Sequence, residues 1–137
     1  MVESIDRPTA LIYAMVLMAA ADNDIAKVEL SLIGELVRGL PIFRDYDNNK
    51  LVRATQACRE QLGRVGGADK VLQMVKGTLS PALQETAYAL AAEVLAADGK
   101  THPDESRLLR TMRTEFAIPE LTAAALHRAA KIRCTTG

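Results

Sequence analysis

The chain repeats itself. Sliding it along itself by 76 positions sets Asp22 on Asp98, Glu29 on Glu105, Leu32 on Leu108 and Ile42 on Ile118, with Ala20-Ala21 on Ala96-Ala97. Between these identities apolar meets apolar: Met18 with Val94, Ile33 with Leu109, Leu36 with Met112, Leu40 with Phe116. No gap is needed. An apolar helix, an Asp-led turn, a Glu in the next helix's first turn and a closing Ile recur in order, which predicts two copies of one αα-hairpin. A lone αα-hairpin cannot bury its apolar face, so the two copies should pack together with the intervening residues covering them.

Helical periodicity fills in the rest. A helix is expected over about 8–21, where Leu11, Ala14, Met15, Met18 and Ala21 share a face. After the turn Asp22-Asn23-Asp24-Ile25 a second helix should run from about Lys27 to Gly39, striped by Val28, Leu32 and Leu36 and stopped by Gly39 and Pro41. Phe43 to Lys50 reads as a polar loop. A third helix should follow, with Leu51, Thr55, Cys58, Leu62 and Val65 on one face and Gly63, Gly66 and Gly67 ending it. A short fourth helix should cover Ala68 to Lys76. Ser80-Pro81 is the clearest helix start, a capping side chain followed by a residue whose missing N–H costs nothing there. The fifth helix, about Pro81 to Ala97, is apolar almost all round and should be central. A sixth carries Leu108, Leu109, Met112 and Phe116. A seventh should run from Pro119 to about Ile132, with Leu121, Ala125, Ala129 and Ile132 on its face. The expectation is therefore an all-α protein of about seven helices in one domain over 1–137: repeat A at about 8–43, middle helices at about 48–77, repeat B at about 81–119 and a C-terminal helix at about 119–133.

Composition narrows the function classes. Lys plus Arg equals Asp plus Glu, 17 each, which argues against a general nucleic-acid or anionic-membrane binder. With no Trp and 4% aromatics there is no stacking platform for bases. Two cysteines, Cys58 and Cys134, make neither a disulfide scaffold nor a thiol metal motif, and point to a reduced, cytoplasmic setting. The apolar run Ala10 to Ala21 imitates an export signal. However, Glu3, Asp6 and Arg7 precede it, and a similar run recurs late in the chain, so it reads as a structural helix too short to span a bilayer.

Chemistry concentrates in two acidic turns. The first offers Asp22, Asp24 and Glu29, the second Asp98, Asp104 and Glu105, each group bracketing a helix start. Two readings stand. In one, the carboxylates only face the positive end of the helix, worth roughly 0.3–1 kcal/mol each when exposed. In the other they hold a hard divalent cation, Ca²⁺ or Mg²⁺, with carboxylate and carbonyl oxygens. Neither turn is an EF-hand: counting from Asp22, the required Gly is Lys27 and the closing acid is Ile33. Asp45-Tyr46-Asp47-Asn48-Asn49 fails the same test at Lys50 and Gln56, and instead Asp47 or Asn48 should cap the third helix. His102 and His127 lack a Glu three residues before them, so no di-iron signature exists. His127 should lie on the surface of the seventh helix. Cys58 falls on an apolar stripe and should be an inert buried thiol. Gly63-Arg64-Val65-Gly66-Gly67 lacks the features of a phosphate loop. No catalytic constellation is visible, so a non-enzymatic protein is expected.

The segment Leu95-Ala96-Ala97-Asp98-Gly99-Lys100-Thr101-His102-Pro103-Asp104-Glu105, echoed by Ala20-Ala21-Asp22-Asn23-Asp24-Ile25 with Glu29, resembles the tellurite-resistance TerB family. The resemblance spans nearly the whole chain. It implies a duplicated helical domain linked to tellurite and other chemical-stress resistance, without enzymatic activity, similar to metal-binding or membrane-complex-associated modules. By resemblance, the candidate cation ligands are Asp22, Asp24, Glu29, Asp98, Asp104 and Glu105, and the partners are proteins, a membrane-associated stress complex among them. The chain departs from the family pattern: Asn23 replaces Gly, Thr101-His102 replaces Ile-Ser, and Ala26 stands at the matching place in the first copy. The Ser cap, worth about 1 kcal/mol, is thus lost, and the helix starts lean on their carboxylates. That favours the alternative, a helical protein–protein interaction module in which the turns only cap helices. Direct tellurite binding is unattractive, because an oxyanion seeks cations and free N–H groups, not carboxylates.

Overall fold

The computed structural model describes residues 4–21, 27–97 and 103–135, with 27–29 described by backbone alone. Within them lie seven helices: α1 (Arg7–Ala19), α2 (Lys27–Gly39), α3 (Asn48–Leu62), α4 (Gly67–Thr78), α5 (Pro81–Ala96), α6 (Pro103–Glu115) and α7 (Glu120–Arg133). No strand occurs among the described residues.

The duplication is visible in the packing. The first helices of the two hairpins, α1 and α5, lie against each other, while α1 also touches α6 and α5 also touches α2. Each hairpin's first helix thus meets the other hairpin's second, as a pseudo-twofold relation requires. Repeat mates share their environments: Met18 and Val94 are both fully buried, Ile33 and Leu109 are both 3% exposed, and Leu36 and Met112 are both core residues. Helices α3 and α4 cover α1, and α7 covers α5.

The most central helix is α1 as much as α5. Every residue from Thr9 to Ala19 is buried, not only the predicted stripe, because α1 packs on α2, α3, α4, α5 and α6. A run with no charged side chain from Pro8 to Ala21 leaves no face for water. The start of α1 is tied down by polar contacts. Asp6 accepts from the Thr9 N–H at 2.9 Å and from Lys50 Nζ at 2.6 Å, and the Thr9 hydroxyl meets the Tyr46 hydroxyl at 2.8 Å. Tyr46 in turn stacks edge-on against Phe43, with 5.8 Å between centroids, and lies 5.0 Å below Lys50 Nζ. The segment 43–50, expected as a plain polar loop, therefore runs from the end of a short 3₁₀ turn (Pro41–Phe43) through a clamp on α1 into the first turn of α3.

Helix boundaries follow the capping chemistry. Asp47 caps α3 through the Asn49 N–H, and Ser80 caps α5 through the Leu83 N–H. The α3–α4 turn needs glycine twice. Gly66 has φ +69°, and a Cβ on Gly67 would sit 2.0 Å from the Gln61 carbonyl oxygen. Val65, expected on the inner face of α3, lies in this turn and is fully exposed.

The face of α7 is the clearest correction. Ala123 and Ala130 are buried, and Leu126 and His127 half-buried, whereas Leu121, Ala125, Ala129 and Ile132 face solvent. The apolar stripe read from the sequence exists but points outward. Alanines let α7 approach α5 closely, where Leu121 and Ile132 would hold it away, and the buried Phe116 and Ile118 fix how α7 enters.

Candidate functional site

The two acidic turns follow α1 and precede α6, so the ends of those helices locate them. Ala20 and Ala21 close α1, and Pro103 opens α6 with Asp104 and Glu105 in its first turn. Leu17, Ala20 and Ala21 line one groove together with Asp104, Arg107, Leu108 and Thr111 of α6, Leu30 of α2, and Arg59, Leu62, Gly63 and Ala68 of the α3–α4 corner. Its volume is about 600 Å³. The flank of the first turn and the start of the second hairpin's last helix thus line the same groove. Arg59 was not singled out from the sequence, and no local pattern marks it, because only the tertiary packing of α3 brings it here.

Of the six candidate ligands, Asp22, Asp24 and Asp98 lie outside the described residues, as does His102. Glu29 lies in the first turn of α2, and its side chain is likewise outside the description. The remaining two, Asp104 and Glu105, are neighbours that part company. Asp104 is exposed, and its carboxylate leans on Arg107 one turn on at 3.8 Å, an ion pair without a hydrogen bond. Glu105 is 0% exposed and partnered within the fold. Consecutive helical residues are about 100° apart, so they cannot both face one solvent-side ligand. Glu105 lies four, seven and eleven positions before Leu109, Met112 and Phe116, all buried. It therefore extends the core stripe of α6 to the helix start. That spacing was present in the sequence, and it was read only as an acidic turn.

Among the described residues, no group of three or more His, Cys, Asp or Glu side chains gathers where a metal ion could sit. Cys58 is fully buried, its thiol donates to the Tyr13 carbonyl at 3.8 Å, and burial pushes its pKa up to about 12, so it is inert at neutral pH. Cys134 is half-buried, and its thiol is pushed up by burial and by Glu93. No described helix is long and apolar enough to cross a membrane.

The sequence model described as "Tellurite resistance protein TerB" matches residues 8–128. The chain belongs to the TerB family. The matched span runs from the start of α1 into α7, so the family pattern covers both hairpins and the covering helices. No curated protein and no solved structure gives a significant match. Within this TerB-family chain, the departures at Asn23, Ala26 and His102 all fall in the two acidic turns of the sequence and lie outside the described residues.

Proposed function

We propose that this TerB-family chain is a non-enzymatic binding module of tellurite and chemical-stress resistance whose acidic turns hold a divalent cation, Ca²⁺ or Mg²⁺, at one pole of the bundle. The observation that carries the reading is the shared groove, which both Ala21, the residue before Asp22, and Asp104 line. Ca²⁺ takes about six to eight oxygen ligands; with Glu105 enclosed, the second turn offers only the carboxylates of Asp98 and Asp104, so the reading draws on both copies. In it, Asp104 offers its exposed oxygens alongside Asp22, Asp24 and Asp98. Glu105 braces the start of α6 from the inner side. A cation has to draw Asp104 away from Arg107, which at 3.8 Å between two exposed side chains is a loose hold.

The test is a Ca²⁺ and Mg²⁺ titration followed by amide NMR. Saturable shifts at Ala20, Ala21, Asp98 and Asp104 are expected, with affinity at least tenfold weaker in the Asp22→Asn, Asp98→Asn double variant. No shift in either turn at about 10 mM of either ion, well above the weakest module sites, overturns the reading.

A further inference from the structure

The groove beside α1 carries two positive groups that the cation reading does not use. Arg59 enters it from the last turn of α3 and Arg107 from α6. Among the described residues the Arg59 side chain makes no hydrogen bond and no ion pair. The Arg107 side chain has only its contact to Asp104, too long at 3.8 Å for a hydrogen bond. Asp104 is the one acid among the described residues of the lining, so two positive charges stand there against one negative. Much of the remaining lining is aliphatic. Leu17, 2% exposed, is its most deeply set leucine, Leu62 and Leu108 are half-buried, and Leu30 is 38% exposed. Both α3 and α6 pack on α1, which brings these leucines from separate helices to one place.

We propose that this groove docks a short segment of a partner protein in which a glutamate or aspartate side chain stands beside leucine-like ones. The carboxylate meets Arg59, and the aliphatic groups cover Leu62 and Leu108. Charge complementarity selects the carboxylate. A guanidinium with no acceptor of its own offers parallel N–H donors in the geometry that a carboxylate accepts. The leucines select aliphatic neighbours, whose docking removes half-wet apolar surface from water. The open form of the groove selects a protein segment over a small free acid. The Arg107 side chain is 73% exposed, whereas small-molecule sites enclose most of their ligand. The inference goes beyond the cation reading and does not rest on it, because Arg59 plays no part there.

The test uses the full chain, isotope-labelled for amide NMR, in buffer with EDTA. The probe is a capped peptide of alternating leucine and glutamate. Saturable shifts should appear at Leu30, Leu62 and Leu108, with a dissociation constant of about 0.1–1 mM. The same peptide with glutamine for glutamate should bind about tenfold more weakly. Arg59→Gln, at an exposed site with no partner to lose, should weaken the acidic peptide by a similar factor. It should leave the glutamine peptide and the far-UV circular dichroism unchanged, so the two changes form a closed cycle. The absence of saturable shifts in the groove up to about 5 mM peptide overturns the proposal. So do equal affinities for the two peptides, an Arg59→Gln variant that binds the acidic peptide normally, or hexanoate binding as tightly as the peptide, which would make the occupant a small free acid. Divalent cations are absent throughout, so each of these outcomes stands apart from the result of the cation titration.

Discussion

Replacing Glu105 with Ala should cost this protein several times the stability lost on replacing Asp104 with Ala. The two side chains are adjacent, carry the same charge and stand in the first turn of the same helix. Asp104 has a side chain 61% exposed and a long contact to Arg107. A surface pair of that kind is worth about 0–1 kcal/mol and a helix-start carboxylate about 0.3–1, so the loss should be about 1 kcal/mol. Glu105 is completely enclosed and partnered. Truncating this enclosed side chain opens a void in the core and removes its interaction within the fold, a loss of about 3–5 kcal/mol. Against a typical total of about 5–15 kcal/mol, that is about a fifth or more of the stability. Urea unfolding followed by circular dichroism reads the difference. With a slope near 2 kcal/mol/M, the midpoint should fall by about 2 M for Glu105→Ala and by about 0.5 M for Asp104→Ala. Glu105→Gln, which keeps the shape and loses the charge, should fall between. Equal losses for the two alanine variants would refute the idea that Glu105 belongs to the core stripe.

Other perturbations test the frame around the site. Gly67→Ala should destabilise by more than about 2 kcal/mol in the same unfolding experiment, because the new methyl would collide with the Gln61 carbonyl, which is backbone and cannot swing away. Ala117 closes α6 with φ 52°, while the Ile118 N–H reaches the Arg113 carbonyl at 3.0 Å. Ala117→Gly should therefore raise the urea midpoint, by about 0.5–1 kcal/mol in stability. At Asp6, burial works against the charge, but hydrogen bonds from Lys50 and Thr9 outweigh it and hold the carboxyl below its ordinary 3.8. Its contribution is therefore fully present above that pH and is lost as pH falls through the lower folded value. Lys50→Met should flatten the dependence of the midpoint on pH below about 4 and cost no more than about 1 kcal/mol at neutral pH.

Much of this fold was legible because the repeat is a statement about packing. Residues that match across 76 positions, such as Ile33 with Leu109, share their burial because they occupy equivalent places in equivalent hairpins. Helix starts at Ser80 and Asp47 were legible because capping is local chemistry. Four features were not. The stripe Leu121–Ile132 was found, but its direction depends on how closely α5 can be approached, which no local pattern encodes. The burial of α1 on every side depends on five neighbours. Glu105 was read as a turn residue because of its charge, although its spacing to Leu109 and Met112 places it on the core face. The groove itself, with Arg59 brought in from α3, is a product of tertiary packing alone.

The central claim is that the two acidic turns act together on one cation. Mn²⁺, a paramagnetic stand-in for Mg²⁺ with the same preference for oxygen ligands, tests it directly. Substoichiometric Mn²⁺ should broaden the amide signals of Ala20, Ala21 and the first turn of α6 together, with one saturation curve, and excess Mg²⁺ should reverse the effect. Broadening confined to one turn, spread over the surface carboxylates at large, or absent would contradict the claim.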